Sequence, residues 1–289
     1  MSVSACMLGN ENTQISQSSL AIKFWGVRGS VPTPGPATAA YGGNTLCIEI
    51  LAEQQRFIFD AGTGLRALGE ALCQGHEPVN GHLFFTHTQW DRIQGFPFFL
   101  PAFESANQFH IYGGTAANGA SIKQCLSTHM LQPGSTVPLQ DMQAQLIFHD
   151  IVPGNSIQLG NALVEPIGLS GRRNALGYCL RFGGKSIVYA TDTSHEQMDE
   201  NLLFLARRAD LLIYDGTYID MCHQIRNSSS APPWQAAIQL AQSAQVKQLV
   251  MVHYGPQQTD DMLDGLAAKL QAIEPNVSLV REGMVITIP

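Results

Sequence analysis

Five β-type runs of this 289-residue chain end on a side chain that can bind a metal or carry a proton: Asp60, His87, Asp192, Asp215 and His253. Carboxylate oxygens and imidazole nitrogens are common ligands of divalent ions and common acids and bases in hydrolysis. His87 also opens the densest cluster in the chain, His87-Thr88-Gln89-Trp90-Asp91-Arg92. His87 and Asp91 are ligand types, the Gln89 amide is a weak one, and the Arg92 guanidinium offers no lone pair at all. Arg92 and the Arg172-Arg173 pair suit a different task, since their planar forks match the oxygens of phosphate or carboxylate.

A frame must bring these distant strand ends together. Alternating or apolar runs predict strands over 21–25, 46–51, 56–59, 83–85, 109–112, 144–148, 178–182, 186–189, 211–214, 249–252 and 284–288. Spacing near 3.6 predicts helices over 65–73, 119–130, 197–206, 234–244 and 260–272, with Pro232-Pro233 as the start of the fourth. Polar residues closing such strands put functional groups on loops at one edge of the sheets, where α/β proteins build sites. With no repeat, linker or charge block, residues 21–289 read as one domain of two sheets with helices outside, and residues 1–20 as a disordered leader.

Composition narrows the classes. Hydrophobic residues are 45% and charged residues 13%, the latter about half the usual share. A net charge of −7 argues against non-specific nucleic-acid or anionic-membrane binding. No apolar run approaches the roughly 20 residues of a membrane helix, and residues 1–20 hold no Lys or Arg to start a signal peptide. The six scattered cysteines form no Cys-x-x-Cys pair, which fits free thiols and a cytoplasmic setting.

Several motifs together resemble the metallo-β-lactamase superfamily, in a bacterial subgroup akin to its tRNase Z-like and phosphodiesterase-like branches. They are Phe24-Trp25-Gly26-Val27-Arg28-Gly29-Ser30-Val31-Pro32, Tyr41-Gly42-Gly43-Asn44-Thr45, Phe59-Asp60-Ala61-Gly62-Thr63-Gly64, the 87–97 loop, Tyr189-Ala190-Thr191-Asp192-Thr193 and Val252-His253. The resemblance implies an α/β fold, a four-layer αββα sandwich, with Asp60 propping the metal loop from behind. It implies that His87, Asp91, Asp192 and His253 stand at ligand positions, Asp192 as the bridge between two ions. Gln89 and Arg92 stand where the pattern has histidines, and a third histidine is missing near Gly171. Before Trp234, Ser228-Ser229-Ser230-Ala231-Pro232-Pro233 replaces a further histidine-bearing run.

From these losses the expectation is a degenerate member without the two-metal centre and with no metal cofactor. Arg92 would fork onto Asp91 or Asp192, and with Gln89, Arg172 and Arg173 would hold a small phosphate-bearing ligand, or the surface would take a partner protein. The alternative is a residual one-metal hydrolase of phosphoesters such as cyclic nucleotides. In it Asp91, Asp192 and His253 would hold one zinc, manganese or iron ion. The run Phe96-Pro97-Phe98-Phe99-Leu100-Pro101 is a candidate pocket rim or homodimer surface.

Overall fold

A computed structural model describes residues 19–131, 137–170, 175–193, 198–215 and 232–289. The first strand shows why the sheets form: in β1 (Leu20–Gly26) Leu20, Ile22 and Phe24 are buried while Ala21, Lys23 and Trp25 are partly exposed. This period of two gives the strand one face for the core. β1 joins β2 (Cys47–Ala52), β3 (Gln55–Phe59), β4 (Asn80–Phe85), β5 (Gln108–Gly114), β6 (Gln145–Ile151) and β14 (Val285–Ile288) in a seven-stranded sheet ordered β14-β1-β2-β3-β4-β5-β6.

A second seven-stranded sheet faces it, ordered β13-β12-β11-β10-β9-β8-β7. Its strands are β7 (Ile157–Leu159), β8 (Ala162–Gly168), β9 (Leu176–Phe182), β10 (Lys185–Ala190), β11 (Leu211–Tyr214), β12 (Leu249–Met251) and β13 (Val277–Leu279). Both sheets are mixed. β3 to β6 run parallel in the first, β10 to β13 in the second, with antiparallel pairs at the other end of each.

The helices are α1 (Gly64–Leu72), α2 (Trp90–Ile93), α3 (Ile122–His129), α4 (Glu200–Leu205), α5 (Pro233–Ser243) and α6 (Asp260–Ile273). Leu65 and Leu68 of α1 and Ile122 and Leu126 of α3 pack on the outer face of the first sheet, with Ile58, Leu83, Phe85 and Ile111. Ala237 and Leu240 of α5 and Leu263 and Leu270 of α6 belong to the cluster of the second sheet. Between the sheets, the Phe59 ring lies 5.4 Å from Phe84, 5.6 Å from Tyr178 and 5.7 Å from Tyr189. Each aromatic buried this way contributes about 1.5–3 kcal/mol. The four-layer αββα arrangement expected from the motifs is the one found.

Three differences have local causes. Leu20 belongs to β1, fully buried and paired with Ile288 and Ala52, so the expected leader boundary at residue 20 is too late; residues 1–18 lie outside the described residues. β7 and β13 hold three residues each, too few for a period to show, and Pro166 reads against a strand although β8 takes it up as a buried position opposite Tyr178. α2, four residues long, was not anticipated either, and it carries Asp91 and Arg92. No helix among the described residues is long and apolar enough to cross a membrane.

Candidate active site

The carboxyl ends of the inner strands of both sheets converge on one buried cluster. β3 runs into Asp60, β4 into Thr86 and His87, β10 into Thr191 and Asp192, β11 into Asp215, and β12 through Val252 into His253. Three of these residues leave their strands in the left-handed region, Asp60 at φ 60°, Asp192 at φ 62° and His253 at φ 68°. For a residue with a Cβ this costs about 1–3 kcal/mol and must be held by its surroundings. Here the Asp60 amide donates to Phe84 O at 2.8 Å, the Asp192 amide to Asp215 Oδ2 at 2.7 Å, and the His253 amide to Val27 O at 2.8 Å. Gly29 lets its loop pass, because a Cβ there would lie 2.2 Å from His253 Cδ2.

Asp60 is the prop. Its Oδ1 accepts the Thr86 amide at 2.8 Å, its Oδ2 accepts the Tyr189 hydroxyl at 2.7 Å, and the Thr86 hydroxyl reaches both. Burial pushes its carboxyl up, against the pull of Arg92 and His87. His87 sits directly in front. The Gln89 amide donates to His87 Nδ1 at 3.2 Å, which leaves the proton on Nε2 to donate to Asp192 Oδ2 at 3.0 Å.

Arg92 fills the centre and is fully buried. Its Nη2 donates to Asp192 Oδ2, to His253 Nε2 at 3.2 Å and to Thr191 Oγ1 at 3.3 Å. Its Nε lies 3.5 Å from Asp91 Oδ2 and 3.7 Å from Asp60 Oδ2. Burial alone would raise the carboxyls of Asp91 and Asp192, but the guanidinium overrides it and holds both well below the usual carboxylate range. His253 is pulled down by burial and by Arg92. Asp192, Asp215 and Asp91 outweigh both, so its imidazole ends above its ordinary value. Its Nδ1 lies 3.7 Å from Asp215 Oδ2.

Of the residues singled out from sequence, His87, Asp91, Arg92, Asp192 and His253 therefore meet in one place. Gln89 does not join them: it is exposed at the start of α2. Gly171, Arg172 and Arg173 lie outside the described residues. Asp215, marked in the sequence only as a strand end, is a full member of the cluster, and Thr191 was not marked as one. Phe98 is exposed and, with Trp25 and Trp90, lines a separate cleft of about 1380 Å³ beside α2. None of the clustered carboxylates or histidines lines that cleft.

The donor set accommodates a cation. Among the described residues, Asp192, Asp215 and His253 each offer a ligand atom within 4.8 Å of the others. Asp91 Oδ2 is buried with no hydrogen-bond donor, and one guanidinium faces the carboxylates of Asp60, Asp91 and Asp192. Buried negative charge in excess needs a proton or a cation. Arg92 Nη2 holds Asp192 Oδ2 and His253 Nε2, so an ion at this cluster shares two of its ligand residues with the guanidinium and competes with that positive charge.

A model of the beta-lactamase superfamily domain matches residues 55–254. Ribonuclease Z of Synechocystis sp. is 35% identical over 109 residues, 37% of this chain and 32% of the relative, and that of Crocosphaera subtropica 32% identical over 148 residues, 48% and 45%. The matched part thus spans less than half of these relatives' length. Among solved structures, human tRNase Z, short form, superposes with a TM-score of 0.65 at 20% identity, covering 93% of this chain and 99% of that one. A diphosphatase from the PhnP family gives 0.67 at 16%, covering 93% and 98%. Zn(2+)-bound PqqB from Methylobacterium extorquens gives 0.64 at 14%, covering 92% and 99%. At these identities the structures show the shared fold.

These relatives overturn the expectation of no metal cofactor. A zinc-bound protein of the same fold, together with the ribonuclease Z and tRNase Z relatives, points to a metal. Counting lost histidines had left out the charge: carboxylates packed this closely still call for a cation after Arg92 is included.

Proposed function

Because the chain belongs to the beta-lactamase superfamily, we propose that it is a phosphoester hydrolase reduced to one divalent ion, with Arg92 in place of the second cation. The observation that carries this reading is the position of Arg92, buried between Asp91, Asp192 and His253. Asp192, Asp215 and His253 would hold the ion. The chemistry such an ion would supply is activation of water and polarisation of a phosphoryl oxygen.

The chain's own residues do the rest. Asp60 and Thr86 fix the loop that carries His87. His87 accepts the Gln89 amide on Nδ1 and donates its Nε2 proton to Asp192, which fixes the orientation of that carboxylate. Arg92 holds the Asp192 carboxylate ionised and in one orientation. Phosphoesters such as cyclic nucleotides suit the site, in keeping with relatives named as ribonucleases and a diphosphatase. The test is hydrolysis of bis(p-nitrophenyl) phosphate and of cyclic nucleotides with added zinc, manganese or iron. Activity that needs the ion and falls at least about a hundredfold in Asp192→Asn supports the reading; metal-independent or absent turnover opposes it.

A second reading keeps the ligand and drops the turnover. Arg92 Nη2 already engages Asp192 Oδ2 and His253 Nε2, leaving these atoms fewer free lone pairs for chemistry. In that case the ion anchors a phosphate-bearing ligand that is bound but not cleaved, with Arg172 and Arg173 as candidate contacts. Calorimetry with a panel of nucleotides on the parent, Arg172→Ala and Arg173→Ala separates the two: tight binding without product favours the receptor.

A further inference from the structure

His253 leaves β12 in the left-handed region at φ 68°, so its surroundings must hold it there. The hold comes from the residues that follow β1. Val27 O accepts the amides of His253 at 2.8 Å and of Tyr254 at 3.1 Å, and the Gly29 amide donates to Tyr254 O at 2.9 Å. Arg28 stands at the centre of this pairing, bridged along its backbone to Thr45 on one side and to Tyr254 on the other.

The Arg28 side chain is fully buried, yet its hydrogen bonds go to main-chain carbonyls rather than to the carboxylate cluster. Nε donates to Gly42 O at 2.7 Å. Nη1 donates to Gln258 O at 2.6 Å and reaches Gly255 O at 3.5 Å. One fork thus ties residues 42–44 to the 255–258 turn that follows His253. The amides of Val27 and Arg28 both donate to Asn44 O at 2.9 Å, which closes the frame around the strand end. The Asp260 carboxylate lies 3.9 Å from Nη2, too far for a hydrogen bond. A charge buried this way is costly, and packing alone does not require one. What arginine adds is a rigid planar fork that reaches two carbonyls at once.

We propose that Arg28 is a positioning residue for His253. By joining the two turns it fixes the segment that bonds the His253 amide, and with it the direction of the imidazole. The ring packs on Gly29, where a Cβ would lie 2.2 Å from its Cδ2, so a shift of residues 27–29 passes straight to it. Its Nε2 then meets Arg92 Nη2 at 3.2 Å. As the setting of a metal ligand this rests on the one-ion reading above; as the setting of a backbone it does not.

The experiment follows hydrogen exchange by nuclear magnetic resonance at the amides of Gly29, His253 and Tyr254 in the full chain treated with chelator. Arg28→Lys, Arg28→Gln and Leu126→Ala are compared with the parent. Leu126 is buried on the outer face of the first sheet, so its loss destabilises without touching either turn. The expected result is exchange at least about tenfold faster at these amides, relative to those of β2, in both Arg28 variants and not in Leu126→Ala. Zinc affinity, from competition with a chromophoric chelator, should weaken about tenfold in the Arg28 variants and hold in Leu126→Ala. Parent-like exchange or parent-like zinc affinity in both Arg28 variants, or equal effects in Leu126→Ala, would overturn the proposal. A parent that binds no zinc counts against the one-ion reading, and exchange then decides on Arg28 alone. If neither Arg28 variant folds, Gln258→Ala loosens the same turn, because the Gln258 side chain accepts the Gly255 amide at 2.6 Å. Faster exchange at His253 in that variant supports the proposal, and unchanged exchange refutes it.

Discussion

The guanidinium of Arg92 donates through Nη2 to Oδ2 of Asp192, the same oxygen that His87 Nε2 meets at 3.0 Å from the other side. One carboxylate oxygen thus ties a residue of α2 on the first sheet's side to the end of β10 on the second. A substitution at either end leaves a buried charge without its partner.

Arg92→Ala should destabilise the protein by about 3–5 kcal/mol, the cost of breaking a buried ion pair from one side. Arg92 lies close to Asp60, Asp91 and Asp192 at once, so the loss exposes several carboxylates to one another. Urea unfolding followed by fluorescence measures it. A variant as stable as the parent would show that the guanidinium is not needed there.

Arg92→His should move the site in the opposite direction. It adds an imidazole beside Asp91, Asp192 and His253, three groups already drawn around that position. Metal content after dialysis against zinc should rise by about one ion per chain, since ligands plus an open position make a catalytic zinc site. Unchanged metal content would mean that these residues cannot rearrange around an ion.

Stability should fall on mild acidification because of His82, whose ring centre lies 5.2 Å from that of His110 on the neighbouring strand. Burial, and then His110 and His149, hold His82 down at about 4 in the folded protein, against an ordinary 6.5. The unfolded chain therefore takes up the proton first. The stabilising effect of keeping His82 neutral is present above pH 6.5, is lost as pH falls from 6.5 towards 4, and is fully lost below about 4. Melting temperatures across that window should drop less steeply in His82→Asn, and an identical slope would remove His82 as the cause.

Much of the site is legible in the sequence because an apolar run that stops at an acid or a histidine marks a strand leaving the core. His87, Asp192 and His253 all declare themselves this way. α2 does not, since four residues make one turn and show no period. Nor can spacing along the chain show that Asp215 accepts the Asp192 amide at 2.7 Å, which makes Asp215 part of the cluster. The expectation of no metal failed for a related reason. Lost ligands are visible letter by letter, whereas the summed charge of Asp60, Asp91 and Asp192 around a single guanidinium exists only once the strands are assembled. The fold was legible over most of its length, apart from the three-residue strands β7 and β13 and the proline-containing β8.

The Phe59 ring, between Phe84, Tyr178 and Tyr189, tests how tightly the two sheets depend on one another. Phe59→Ala should cost about 3–5 kcal/mol through lost burial and an unfilled cavity. Because Asp60 follows it directly, metal binding should weaken in the same variant. Full stability on thermal unfolding would show that the interior repacks around the gap.

The most direct test of the one-ion account is anomalous diffraction at the zinc edge from crystals grown with zinc, combined with refinement of the Arg92 side chain. The account predicts one peak among Asp192, Asp215 and His253, with the guanidinium still against Asp192. Two peaks about 3.5–4 Å apart and bridged by Asp192, with Arg92 turned away, would contradict it, as would an empty cluster at saturating zinc.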